Sequence, residues 1–296
     1  MLEIAEILKK NNLKTRSYRK NGKVILVDTN KGKKVIKETK NSNIYEYLRS
    51  RDFNYFPNIT IDDDYEILDY VDSIEMPDEQ KMSDMIRLIA LLHNKTTYYK
   101  EITDDEFKKI YEDITNNIEY LYSYYTDIIT IIENKEYMSP SEYLLARGIS
   151  KIFNSLNFSK YELEEWYEMV KDKKKQRYVV LHNNLELDHF IRNSDAYLIS
   201  WEKSKIDIPI FDFYKLYKKH SLDFDFSSLL RLYEKDYPLL NEERKLLFIL
   251  ISLPDKIEFD TTEYEMTKKV GKLLDYLYKT DNLISPYYSN DTIQNK

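Results

Sequence analysis

Apolar positions along this chain follow two rhythms, and the change falls near residue 75. Before it they come in short alternating runs. Thr15 to Tyr18, Lys23 to Thr29 and Lys33 to Glu38 are separated by Asn21-Gly22 and Asn30-Lys31-Gly32. Alternation between tight-turn signals predicts antiparallel strands. Met1 to Lys10 predicts an amphipathic helix, and Ile44, Tyr47 and Leu48 predict a second across Asn43 to Arg51. Extended runs return at Asn58 to Ile61 and Tyr65 to Val71, around the acidic turn Asp62-Asp63-Asp64.

From Pro77 onward the spacing is helical. Met85, Ile86, Ile89 and Leu92 share a face over 82–93, and 104–133 holds one long helix or two. Ser139-Pro140-Ser141-Glu142 is a helix start, with a serine cap, a first-turn proline and a glutamate three residues on. Further helices are expected at 160–172, 213–220, 227–235, 241–253 and 262–278. Two short apolar runs, Tyr178 to Leu181 and Ala196 to Ile199, read as strands. The class expected is α+β: a β-rich N-terminal lobe over 1–75, a helical C-terminal lobe over 76–284, and a disordered polar tail at 285–296.

Composition narrows the function. There are no cysteines, which excludes disulfides and thiolate metal sites and fits a reducing cytoplasm. A net charge of -7 argues against a nucleic-acid partner. No run approaches the ~20 apolar residues that span a bilayer, and the acids in the opening helix are unlike a signal peptide, so no membrane partner is expected. The four glycines, Gly22, Gly32, Gly148 and Gly271, are too scattered to build a glycine-rich phosphate cradle. The 28 tyrosines accompany abundant Lys, Ile and Asn, the signature of an AT-rich genome more than of a stacking surface.

The chemistry concentrates in Leu181-His182-Asn183-Asn184-Leu185-Glu186-Leu187-Asp188-His189-Phe190-Ile191, with Ser200-Trp201-Glu202 nine residues on. In this frame the chain resembles the bacterial aminoglycoside and choline phosphotransferase family, and most closely its spore-coat-associated kinase-like branch, over roughly Lys23 to Tyr278. The resemblance implies a bilobal protein-kinase-like fold, with ATP and magnesium as cofactors. It puts His182 on the loop histidine, Asn184 on the catalytic aspartate, His189 on the metal-binding asparagine and Ser200 on the metal-binding aspartate. Pro209 precedes Asp212-Phe213, so Asp212 inherits a structural role toward the loop. Val35-Ile36-Lys37 resembles the strand of the phosphate-positioning lysine, with Val35 walling the adenine site, Lys37 on the α/β-phosphates and Glu46 as its ion-pair partner. Leu91-Leu92-His93 resembles the pair closing the first large helix. Tyr237-Pro238 with Glu242 or Glu243, then Leu253-Pro254, is similar to the spore-coat branch.

The residues at the chemical positions point away from that reaction. An amide at 184 cannot take a proton at neutral pH, and loss of a general base costs ~10²–10⁴-fold in rate. A hydroxyl at 200 and an imidazole at 189 are poor partners for magnesium. Both cofactors are therefore doubtful. The first expectation is a catalytically inactive kinase-like protein that binds a small molecule or a protein, in sporulation or coat assembly if the branch resemblance holds. A second is an active phosphotransferase with a rearranged metal site on Glu186, Asp188 or Glu202. A third is a scaffold whose cleft is filled. His93 and His220 are expected as helix-end residues, Trp201 as packing beneath the loop, and Tyr122, Tyr124 and Tyr125 as helix surface and core.

Overall fold

The computed structural model describes residues 2–22, 24–38, 43–62 and 64–288. Lys23, the middle residue of the acidic turn (Asp63), and 289–296 of the expected tail lie outside them. The chain packs as two compact units. One joins the residues up to Thr97 to Val179–Asp207; the other joins Tyr98–Tyr178 to the residues from Ile208 on.

The first unit opens with helix α1 (Leu2–Lys10), strands β1 (Thr15–Asn21), β2 (Val24–Thr29) and β3 (Gly32–Glu38), and helix α2 (Ile44–Ser50). Strands β4 (Ile59–Asp62) and β5 (Tyr65–Asp69) and helix α3 (Asp78–Thr96) follow. The five strands form one antiparallel sheet in the order β1-β2-β3-β5-β4. Gly32 takes φ 96° at the tight β2–β3 turn, a conformation cheap only for glycine. One sheet face buries Val27, Ile36 and Ile67 against Ile7, Leu8 and Leu13. Each such side chain contributes about 1.5–3 kcal/mol when fully buried, so this cluster holds α1 to the sheet.

The second unit begins with β6 (Tyr98–Glu101) and the helices α4 (Asp104–Glu133) and α5 (Pro140–Val170). The 104–133 pattern is one 30-residue helix. The expected helices from Ser139 and over 160–172 are one element of 31 residues. Its start is as read: Pro140 stands in the first turn and the Glu142 carboxylate accepts from the Ser139 N–H at 2.9 Å. Strand β7 (Lys175–Leu181) pairs with β6 through its first residues.

From Val179 the chain is back in the first unit. The hairpin of β8 (Phe190–Arg192) and β9 (Ala196–Leu198) leads to β10 (Lys205–Asp207), antiparallel to Val179–Leu181. The second unit then closes with α6 (Ile210–His220), α7 (Phe226–Asp236), α8 (Asn241–Ser252) and α9 (Glu263–Tyr288). Residues 285–288, assigned to the tail from the sequence, continue α9. The architecture is the expected α+β class, an antiparallel sheet followed by a larger helical part. No helix among the described residues is long and apolar enough to cross a membrane.

Candidate functional site: a carboxylate-bound lysine beside a donor loop

Sheet register decides the surroundings of Lys37. Ile36 faces the core cluster, so Val35 and Lys37 lie on the other face of β3. Directly opposite on β5 the Cα partner of Lys37 is Glu66. Lys37 Nζ sits 3.1 Å from Glu66 Oε2, and only 4 % of the Glu66 side chain is exposed. A second carboxylate, Glu202 Oε2, stands 3.4 Å from the same nitrogen. The Tyr45 hydroxyl donates to Glu66 at 3.1 Å. Burial first, and Glu66 second, push that phenol far above its ordinary pKa, so it remains a donor throughout the working range.

Glu46, the partner expected for Lys37, is exposed on α2. The reason is helical geometry. Tyr45 and Leu48 form the buried face of α2, and the next residue is turned about 100° away. Tyr45 therefore reaches the pair from α2, and β5 supplies the carboxylate. Val35 is half-buried beside the lysine, while Tyr70 is exposed with the Lys33 ammonium 5.5 Å above its ring.

The loop after β7 spends its side chains on backbone carbonyls. His182 is fully buried and its Nε2 bonds the Ile199 carbonyl at 2.9 Å. Its ring meets Trp201 edge-on at 4.7 Å, and the Trp201 indole donates to the Leu198 carbonyl at 2.9 Å. The Asn183 amide donates to the Lys203 carbonyl at 2.8 Å. Asn184 Nδ2 donates to the Ser200 carbonyl at 3.3 Å and lies 3.5 Å from Glu202 Oε1. His189 Nδ1 bonds the Asn184 carbonyl at 2.7 Å. Two residues of this assembly hold left-handed backbone, Asn183 at φ 60° and Ser200 at φ 68°.

Glu202 is the polar hub. Its partial burial pushes the carboxyl up, but its own backbone N–H, the Lys37 ammonium and His189 outweigh that and hold it below the ordinary glutamate value. It is ionised at neutral pH. Glu186 is half-buried and Asp188 exposed, on the turn Leu187–His189. Among the described residues no three His, Asp or Glu side chains come together as a metal-holding group. A hard cation needs oxygen ligands. Here Asn184 presents N–H groups to its neighbours and the Nδ1 of His189 is engaged by a carbonyl, so the oxygen donors nearest Lys37 are the carboxylates of Glu66 and Glu202.

The structure thus brings together Lys37, Asn184 and Glu202, with His182, His189 and Ser200 in the same stitched loop. Asp212 is buried in the first turn of α6, in the second unit. His93 and His220 occupy the last turns of α3 and α6. Glu66 and Tyr45 escaped the sequence reading. The available signal was the single acid within Tyr65-Glu66-Ile67-Leu68, at the position facing Lys37, which needs the β3–β5 register to be interpreted.

Tyr237, Pro238 and Glu243 meet elsewhere, around Arg177. That guanidinium forms a two-pronged pair with Glu243, lies 4.4 Å over the Tyr237 ring and donates to the Pro238 carbonyl at 3.1 Å. The Leu240 N–H reaches Glu243 at 2.9 Å. Both charged residues are nearly inaccessible, at 9 % and 2 % exposure. Their grouping in the second unit is a packed polar knot, with Glu243 rather than Glu242 at its centre.

No family model and no curated protein matches the sequence. Solved structures do resemble the fold. An aminoglycoside phosphotransferase from Alicyclobacillus acidocaldarius superposes with a TM-score of 0.65, covering 92 % of both chains at 10 % identity. A spectinomycin phosphotransferase in its AMP-bound complex gives 0.54 at 10 % identity, over 94 % of this chain and 97 % of its own. A choline kinase from Streptococcus pneumoniae gives 0.50 at 15 % identity, over 98 % of this chain and 100 % of its own. The chain has the kinase-like fold of small-molecule phosphotransferases.

Proposed function

We propose that this protein is a catalytically silent member of the kinase-like architecture that acts by binding a small molecule or a protein. The observation carrying the reading is the use made of Asn184. Its amide is a donor to Ser200 and Glu202, where a phosphotransferase needs an acceptor to orient the attacking hydroxyl. The neighbouring His182 and Asn183 side chains are likewise committed to carbonyls. If the resemblance to the spore-coat branch holds, the protein acts in sporulation or coat assembly, and a chain without cysteine supports a cytoplasmic setting.

Phosphate release over sugars, choline and aminoglycosides with magnesium-ATP, beside a thermal-shift titration, tests the reading. No turnover above the buffer rate is expected. Reproducible turnover that disappears in Lys37→Ala overturns it.

A further inference from the structure

Two carboxylates share one ammonium at Lys37, and only one is needed to balance it. Glu66 is the fixed partner. It faces Lys37 across the β3–β5 register, has 4 % of its side chain exposed and is tied by the Tyr45 hydroxyl. Glu202 is the surplus. It arrives from a segment 165 residues away, keeps 33 % of its side chain exposed, and is steadied by the Asn184 amide at 3.5 Å. Two carboxylates against one ammonium sum to minus one, so an anion that reaches Lys37 without a metal meets net repulsion.

We infer that Glu202 is an intramolecular stand-in for phosphate, occupying the accessible side of Lys37 and excluding anionic nucleotides from it. The inference rests on the reading of Lys37 as the lysine of a former nucleotide site, and it concerns binding, whereas the silent reading concerns transfer. An incoming phosphate has to displace a like charge within about 4 Å of where it would sit, and that repulsion is strong where water is partly excluded. The Asn184 contact adds to the hold. The amide at 184 draws Glu202 in, while an aspartate there would repel it. The substitution at 184 and the closure of Lys37 are then two aspects of one arrangement.

The experiment is calorimetric titration of ATP and of inorganic triphosphate, without metal, into the intact protein and its Glu202→Gln variant. Glutamine keeps the length and the acceptor for Asn184 but removes the charge. Affinity for both probes is expected to rise at least about tenfold. The rise should vanish in the Glu202→Gln/Lys37→Met double variant. Equal affinity in the native protein and Glu202→Gln overturns the inference, as does a gain that survives loss of Lys37. If Glu202→Gln fails to melt cooperatively, Glu202→Ala carries the same comparison. Unchanged affinity in Glu202→Gln without native turnover would sink the closure and leave the silent reading standing, whereas Lys37-dependent turnover by the native protein would sink both.

Discussion

At position 184 an amide differs from a carboxylate by a hydrogen-bearing nitrogen, and that nitrogen joins the Ser200 carbonyl to Glu202. Asn184→Asp removes the donor and sets two acids against each other. It should restore no turnover and should lower stability by about 1–2 kcal/mol at pH 7, measured by urea denaturation. Glu202 makes a second prediction at this scale. Its carboxyl lies below the ordinary glutamate value when folded, so its stabilising contribution is present above about pH 4.5 and is lost as the pH falls through the lowered value. With much of the group exposed, that contribution is under about 1 kcal/mol. Urea curves for native and Glu202→Gln protein should differ at pH 7 and converge as acid protonates the folded carboxyl. The loop residues themselves were legible from their spacing. Their partners were not, because Ile199, Ser200 and Lys203 are bonded through backbone carbonyls, which every residue type offers equally.

Among the elements, the long helix α5 shows where periodicity misleads. A glycine at 148 lowers helix propensity by about 1 kcal/mol against alanine, which favours reading two helices from the sequence. The structure keeps one, and an ideal Cβ on Gly148 would lie 2.5 Å from a Leu274 methyl of α9. The glycine is there for close approach. Gly148→Val should therefore cost about 1–3 kcal/mol or more by overpacking, while Gly148→Ala should cost less, because the Leu274 methyls can turn aside and alanine regains propensity. Thermal melts of the two variants separate these outcomes. Strand β6 was invisible for a different reason: Tyr98–Glu101 is half-buried at one residue and exposed at three, so it carries no alternation. Its identity comes from pairing with β7. The Arg177–Glu243 knot belongs to this scale as well. Arg177→Met alone leaves a buried carboxylate and should cost about 3–5 kcal/mol, whereas Arg177→Met with Glu243→Leu should recover most of that loss in denaturation.

For the whole molecule, the main lesson is discontinuity. The first compact unit takes its last 29 residues, Val179–Asp207, from far along the chain. Leu198 N–H bonds the Tyr55 carbonyl, Ile74 N–H bonds the Arg192 carbonyl, and Phe53 packs on Trp201. A rhythm change at residue 75 marks where secondary structure alters; it has no means of showing that 179–207 returns to the first unit. A fragment of residues 1–97 should accordingly lack a cooperative thermal transition by circular dichroism, and co-expression with 179–207 should restore protection of Trp201.

The left-handed turn at Ser200, φ 68° and ψ 51°, bears on which side chains that position can carry. Serine is not the residue that enters this conformation most readily; asparagine and aspartate enter it more easily because their short polar side chains bond locally. The main chain at 200 would thus accept an acid with little complaint, while the neighbourhood of 184 would resist one until Glu202 had gone. Carboxylates introduced by mutation would therefore meet unequal resistance: the main chain at 200 accepts one as it stands, whereas position 184 does so only once the charge at 202 has been removed.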